Sequence, residues 1–135
     1  MLEHPQILQT PQQRIALIHL VVERSKIREV MHEGLNELKA ELAAQSIVAS
    51  GPWFTHHRRI DAASFDFEIC FPVDQEVTAT GRVATGMRPS VRVAQAIYHG
   101  PYEGLGTAWG QLHHWITDKG LAKTPDLWER YLKGA

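Results

Sequence analysis

The feature that most constrains the fold of this 135-residue chain is an internal repeat. Pro11, Arg14 and Ala16 recur 78 positions later, and beyond them the matching offset becomes 74. At that second offset apolar residues meet apolar residues: Met31 and Leu105, Leu35 and Trp109, Leu38 and Leu112, Leu42 and Ile116, Phe54 and Trp128. The sequence therefore predicts two copies of one folding unit, at about residues 5–73 and 81–135.

Each copy has the pattern of a strand, a helix and further strands. In the first copy a strand over QQRIALIHLVV precedes apolar residues at helical spacing in 27–42, followed by strands in GPWFTHHRR and SFDFEICFPV. In the second copy VRVAQAIYHG is the strand, 105–116 is the helix with Gly120 as its C-cap, and LWERYL is the next strand. The last strand of the first copy would find its counterpart beyond Ala135, so the second copy is expected to lack it.

These elements predict an α+β fold in which two pseudo-symmetric strand-helix-strand-strand units form a curved antiparallel sheet. With 44% hydrophobic residues, the chain suffices for a single domain over 1–135. The helices are expected on one face and a ligand groove on the other. Alternation in 64–73 predicts Phe65, Phe67, Ile69 and Phe71 under the helices, with Asp66, Glu68 and Cys70 on the open face. Ile18 and Tyr98 are expected on that open face too.

Charge and cysteine content exclude several functions. A net charge of −1 gives no basic surface for nucleic acid or an anionic membrane. The single cysteine, Cys70, cannot form an intrachain disulfide and suits a reducing cytoplasm. The longest apolar runs are too short to span a bilayer, and the first residues lack the pattern of a signal peptide. The expected location is the cytoplasm, with no membrane and no direct nucleic-acid partner.

Carboxylates beside aromatic residues are the best candidates for chemistry. Glu68 lies on the aromatic strand, and Glu129 and Tyr131 share one strand face, where they are expected to converge with Tyr98. Such a set suits lipophilic cations through charge pairing and cation–π attraction, or general acid–base catalysis by glutamate. The residues alone leave both alternatives open.

Histidine and serine residues offer weaker candidates. His56-His57 and His113-His114 are adjacent pairs, whose members diverge on a strand or a helix and cannot chelate one ion unaided. We therefore expect no metal and no other cofactor. No serine lies in a nucleophile motif, and YHGPYEGLG lacks the lysine and spacing of a phosphate loop. This turn is interpreted as the rim of a pocket, with Tyr102 on it.

The segments AIYHGPYEGLGTAWGQLHHWI, LWERYL and FDFEICFPV resemble the GyrI-like small-molecule-binding superfamily, which includes effector-binding domains of AraC-type and MerR-type regulators. No DNA-binding helix-turn-helix precedes them, so the chain resembles the stand-alone members. The resemblance implies a central groove for apolar, cationic or aromatic compounds. The predicted ligand-binding residues are Ile18, Trp53, His57, Glu68, Tyr98, Tyr102, Glu129 and Tyr131.

Three functions follow from these observations, of which binding is favoured over catalysis. The first is binding of an apolar, cationic or aromatic small molecule in multidrug or toxin sensing or sequestration. The second, implied by the resemblance to stand-alone relatives, is glutamate-dependent hydrolysis of electrophilic, cyclopropane-bearing toxins. The third is a protein-interaction module, such as a topoisomerase modulator. The absent strand also predicts either a homodimer through the edge at 127–132 or a chain that naturally continues past Ala135.

Overall fold

Seven strands and two helices form in residues 1–60 and 63–132, the part of the chain that the computed structural model describes. Short 3₁₀ turns at Arg24–Lys26 and Tyr102–Gly104 precede the two helices. The elements are β1 (Gln6–Gln9), β2 (Gln13–Glu23), α1 (Ile27–Ala44), β3 (Phe54–Ile60), β4 (Ser64–Pro72), β5 (Val83–Arg88), β6 (Arg92–Gln95), α2 (Leu105–Asp118) and β7 (Leu127–Arg130).

The strands form two antiparallel sheets. One has five strands in the order β5-β2-β4-β3-β7, and the other pairs β1 with β6. The predicted α+β class with antiparallel sheets and two repeated units is confirmed. The first copy is β2-α1-β3-β4, and the second copy is β6-α2-β7, with no described counterpart of β4. Strands β1 and β5 were not predicted, because QILQ and VATGMR are too short and too polar to show a clear alternation.

The chain divides into two compact units that do not coincide with the repeats. The smaller unit contains Met1–Gln12 and Pro89–Thr124, and the larger contains Gln13–Arg88 with the segment from Pro125 onward. The reason is that β7 of the second copy pairs with β3 of the first copy and so belongs to the larger unit. Strand β1, at the start of the chain, pairs with β6 of the second copy and so belongs to the smaller unit. The expectation of a single domain over the whole chain stays a prediction.

The two helices end in the same way, 74 residues apart. Ser46 and Gly120 both have a positive φ, of 58° and 70°. The following residues bond back to equivalent carbonyls, with Ile47 N–H donating to Leu42 O at 2.9 Å and Leu121 N–H to Ile116 O at 3.2 Å. This is the C-cap predicted at Gly120, and it matches the offset of the repeat.

The core of the larger unit lies between α1 and one face of the five-stranded sheet, which we call the helix side. Register places Ala16, Ile18 and Leu20 of β2 opposite Phe71, Ile69 and Phe67 of β4. These side chains pack with Leu35, Leu38 and Leu42 of α1. The predicted burial of the aromatic face of β4 is confirmed. The placement of Ile18 on the other face is wrong, because its partner Ile69 fixes it under the helix, fully buried.

The opposite face of the sheet, which we call the far side, carries a smaller apolar cluster. Ile15, Phe54 and Cys70 are buried there, with Leu17 and Trp128 packed against them. Burial strongly raises the pKa of the Cys70 thiol, which keeps it protonated and unreactive. Asp66 and Glu68 alternate with the core residues of β4 and lie on this far side, as expected.

Candidate functional site

A carboxylate surrounded by aromatic rings lies on the helix side of the sheet. Pairing of β3 with β7 sets Thr55 opposite Glu129, so both project to the face that carries Phe67 and Ile69. The Tyr131 hydroxyl donates to Glu129 Oε1 at 2.8 Å and lies 3.0 Å from Thr55 Oγ1. The Tyr131 ring stacks on Trp53 with centroids 4.1 Å apart. We call Trp53, Thr55, His57, Glu129 and Tyr131 the helix-side cluster.

His57 contributes a buried, neutral imidazole to the helix-side cluster. It stacks on Phe67 at 5.3 Å between centroids and meets Phe65 edge-on at 5.9 Å. Burial lowers the pKa of His57, although the nearby Glu129 charge opposes the shift. Its Nε2 lies 3.9 Å from Glu129 Oε1, and its Nδ1 is buried with no hydrogen-bond partner in the described structure. An unsatisfied buried nitrogen costs about 1–3 kcal/mol, so this atom is a candidate partner for a bound ligand.

A second polar group lies on the far side, around His56. Its Nδ1 is 3.1 Å from Glu68 Oε1, and its Nε2 is 2.8 Å from Asp126 Oδ2. The imidazole stacks almost parallel on Trp128, with ring centroids 4.3 Å apart and an angle of 4°. Burial alone lowers the pKa of His56, but the two carboxylates outweigh it and the net pKa is raised. We call His56, Glu68, Asp126 and Trp128 the far-side cluster.

The glycine-rich turn ahead of α2 wraps around one tyrosine. The Tyr98 hydroxyl donates to Pro101 O at 2.7 Å, and a Cβ at Gly100 would lie 2.6 Å from the Tyr98 hydroxyl oxygen. A Cβ at Gly104 would also collide with the Tyr98 hydroxyl. A side chain at either glycine would therefore displace the Tyr98 hydroxyl from this position. Tyr102 is more than half exposed at the start of the 3₁₀ turn.

The predicted site residues fall into separate places. Trp53, His57, Glu129 and Tyr131 come together in the helix-side cluster, whereas Glu68 lies on the opposite face of the sheet with His56. The expectation that Glu68 converges with Glu129 and Tyr131 is wrong, because the register pairs Glu68 with His56 and Thr55 with Glu129. Ile18 is enclosed by core residues. Tyr98 and Tyr102 belong to the smaller unit, so their part in a common groove stays a prediction.

Sequence reasoning missed four residues of these clusters: Thr55, His56, Asp126 and Trp128. His56 and His57 do diverge to opposite faces, as strand geometry predicts. Their partners depend on which strand lies next to β3, and no local pattern gives that order. No arrangement of three or more His, Cys, Asp or Glu residues in the described ranges is suited to a metal ion. No described helix is both long and apolar enough to cross a membrane.

The fold is that of a small α+β protein with two helices and two antiparallel sheets. The chain belongs to the GyrI-like small molecule binding domain family, whose pattern it matches over residues 3–135. This match confirms the resemblance seen in the sequence. No curated protein sequence matches the chain.

Solved structures support the same fold. The C-terminal domain of EcmrR is 22% identical with a TM-score of 0.80, covering 99% of this chain and 87% of that one. EcmrR in complex with DNA is 21% identical with a TM-score of 0.79, and the chain covers only 50% of its length. A hydrolase from Listeria innocua is 13% identical with a TM-score of 0.68, covering 96% of this chain and 86% of that one.

Proposed function

We propose that the helix-side cluster binds an apolar small molecule that carries a positive charge, in multidrug or toxin sensing or sequestration. The observation that carries the proposal is the position of Glu129. Its carboxylate accepts a hydrogen bond from Tyr131. The Glu129 side chain lies beside aromatic residues, and 17% of its surface remains exposed to solvent. A lipophilic cation gains charge pairing with Glu129 and cation–π attraction of about 0.5–2 kcal/mol per suitable ring.

Two further features support a cation rather than an anion. The Nε2 of His57 lies 3.9 Å from Glu129 Oε1, and because burial lowers the pKa of His57 this imidazole is neutral at neutral pH and adds no positive charge beside the carboxylate. The rings of Trp53 and Tyr131 stack on each other beside the carboxylate. The family supports small-molecule binding as the activity, and the likeness to EcmrR, solved in complex with DNA, suggests a sensing role.

The test is a comparison of two ions of equal shape and opposite charge. Tetraphenylphosphonium should bind the protein in a way that depends on Glu129, whereas any binding of tetraphenylborate should not depend on Glu129, as followed by tryptophan fluorescence and calorimetry. Glu129→Gln should weaken tetraphenylphosphonium binding by about 1–3 kcal/mol, because a charged interaction is left unmade. Glu68→Gln is the matched control, since it removes a carboxylate from the other face and should leave the affinity unchanged. Equal loss in both variants, or none in Glu129→Gln, contradicts the proposal.

A hydrolase is the second candidate, and one contact favours it. Glu129 Oε1 lies 2.8 Å from the Tyr131 hydroxyl, so a carboxylate base and a phenolic donor share one site. A solved neighbour of the same fold is described as a hydrolase. If this chain adds water to an electrophilic, cyclopropane-bearing compound, mass spectrometry will show a product heavier by one water. Glu129→Gln should then abolish turnover, while a product formed equally by both proteins contradicts a role for Glu129.

A further inference from the structure

Two arginines share the far side of the five-stranded sheet with no carboxylate partner in the part of the chain that the structure describes. Arg88 ends β5 and Arg130 ends β7, and register places both on the face that carries Phe54 and Cys70. Neither guanidinium forms an ion pair with any acidic side chain of residues 1–60 and 63–132. Three acidic groups of this face are bound to histidines: Asp66 to His19, and Glu68 with Asp126 to His56.

Arg88 is held in surroundings that disfavour an isolated charge. Its guanidinium carbon lies 5.5 Å from the centroid of the Phe54 ring, so the side chain extends across β2 and β4. Its Nε is shielded from water and has no hydrogen-bond partner in the described structure. Burial lowers the pKa of Arg88, and the like charge of Arg130 lowers it further. The cation–π contact offsets part of this cost but neutralises neither charge.

We infer that Arg88 and Arg130 form a binding site for an organic carboxylate, on the opposite face of the sheet from the helix-side cluster. Arginine presents planar donors that match a carboxylate in a two-point contact, and an anion between the two side chains removes their mutual repulsion. Leu17 and Trp128 are half-buried on the same face and pack on Phe54 and Ile15. They offer an apolar surface to the body of the ligand, which favours an organic acid over a fully hydrated inorganic anion.

The probes are benzoate, its uncharged analogue benzamide, and inorganic phosphate, titrated at low ionic strength. Binding is measured by calorimetry and by the NMR signal of the Arg88 Nε–H, which should shift saturably with benzoate and stay unchanged with benzamide. Arg130→Gln should raise the benzoate Kd by at least about tenfold, because one of the two charged partners is lost. Arg88→Lys should weaken binding to a similar degree, since lysine keeps the charge but loses the planar pair of donors.

Two controls separate this site from other effects. Arg92→Gln removes an exposed arginine of β6 with no described ion pair and should leave the benzoate Kd within about twofold. Glu129→Gln should also leave it unchanged, so failure here and failure of the proposed cation site are distinguishable. If Arg88→Lys does not fold, the exposed Arg130→Gln variant decides alone. Equal affinity for benzamide, tighter binding of phosphate, or equal loss in Arg92→Gln and Arg130→Gln overturns the inference.

Discussion

His56 and His57 are consecutive residues whose environments shift their pKa values in opposite directions. His57 lies among Phe65 and Phe67, where burial disfavours its charged form. His56 is also partly buried, but Glu68 and Asp126 bind both of its ring nitrogens and favour the charged form. On one strand, therefore, the imidazole of His56 stays protonated to a higher pH than the imidazole of His57 on the opposite face.

The raised pKa of His56 predicts a pH-dependent contribution to stability. Because the folded-state pKa is above the ordinary value of 6.5, protonated His56 stabilises the fold fully below that value. The contribution is lost as pH rises through the higher folded-state pKa. The stability difference between the wild type and His56→Gln should therefore be largest below about pH 6.5 and shrink above it. Urea unfolding of both proteins at several pH values measures this difference.

His114→Gln is the control for this experiment. His114 pairs with Asp118 on the exposed surface of α2, at 3.1 Å between Nε2 and Oδ2. An exposed pair of this kind contributes less than about 1 kcal/mol, so its removal should change stability little at any pH. A His56→Gln difference that stays constant, or that grows above pH 6.5, would show that Glu68 and Asp126 do not hold a proton on His56.

Helix α1 approaches the sheet closely at a single glycine. A Cβ at Gly34 would lie 2.8 Å from Ile69 Cδ1 and 3.3 Å from Leu20 Cδ1, both of which belong to the packed core. The absence of a side chain thus allows α1 to lie directly on β2 and β4. In α2, by contrast, a Cβ at Gly110 would meet no atom within 4 Å.

Substitutions at these two glycines are predicted to have opposite effects. Gly34→Val should destabilise the protein by about 1–3 kcal/mol, because the added methyl groups overpack the contact with Ile69. Gly110→Ala should stabilise it by about 0.5–1 kcal/mol, because alanine is the better helix former and nothing obstructs it. Chemical unfolding of the two variants beside the wild type measures both effects. A neutral Gly34→Val would mean that α1 can move away from the sheet at no cost.

The helices and the longer strands could be predicted from the sequence because their signals are local. Helical spacing gave α1 and α2, Gly120 gave the end of α2, and alternation gave β4 and its buried face. The pairing of β3 with β7 is not local, and it places Glu129 beside Thr55, whereas the register of β3 with β4 places Glu68 beside His56. The sequence therefore predicted which residue types belong to the candidate site. It did not predict that they are divided between the two faces of the sheet. The shared strand face of Glu129 and Tyr131 was predicted from parity, and the partners of His56 were not.

At the scale of the whole molecule, burial is distributed unequally between the two compact units. Nearly all buried apolar residues of the described chain, including Ile18, Phe67 and Ile69, belong to the larger unit. In the smaller unit only Ala108 and Leu112 reach that degree of burial. The edge strand β7 pairs with β3 alone among the described strands, and the homodimer expected at this edge stays a prediction.

This inequality predicts that the smaller unit opens more readily than the larger one. Local opening costs little free energy where few apolar side chains are buried, and amide hydrogen exchange reports that cost residue by residue. Amides of β2 and β4, which pair along nine residues between α1 and the far-side cluster, should exchange most slowly and report global unfolding. Amides of β1, β6 and α2 should exchange faster, and should slow only when a ligand or partner stabilises that unit. Equal protection in α2 and β4 would show instead that the chain unfolds as one cooperative body.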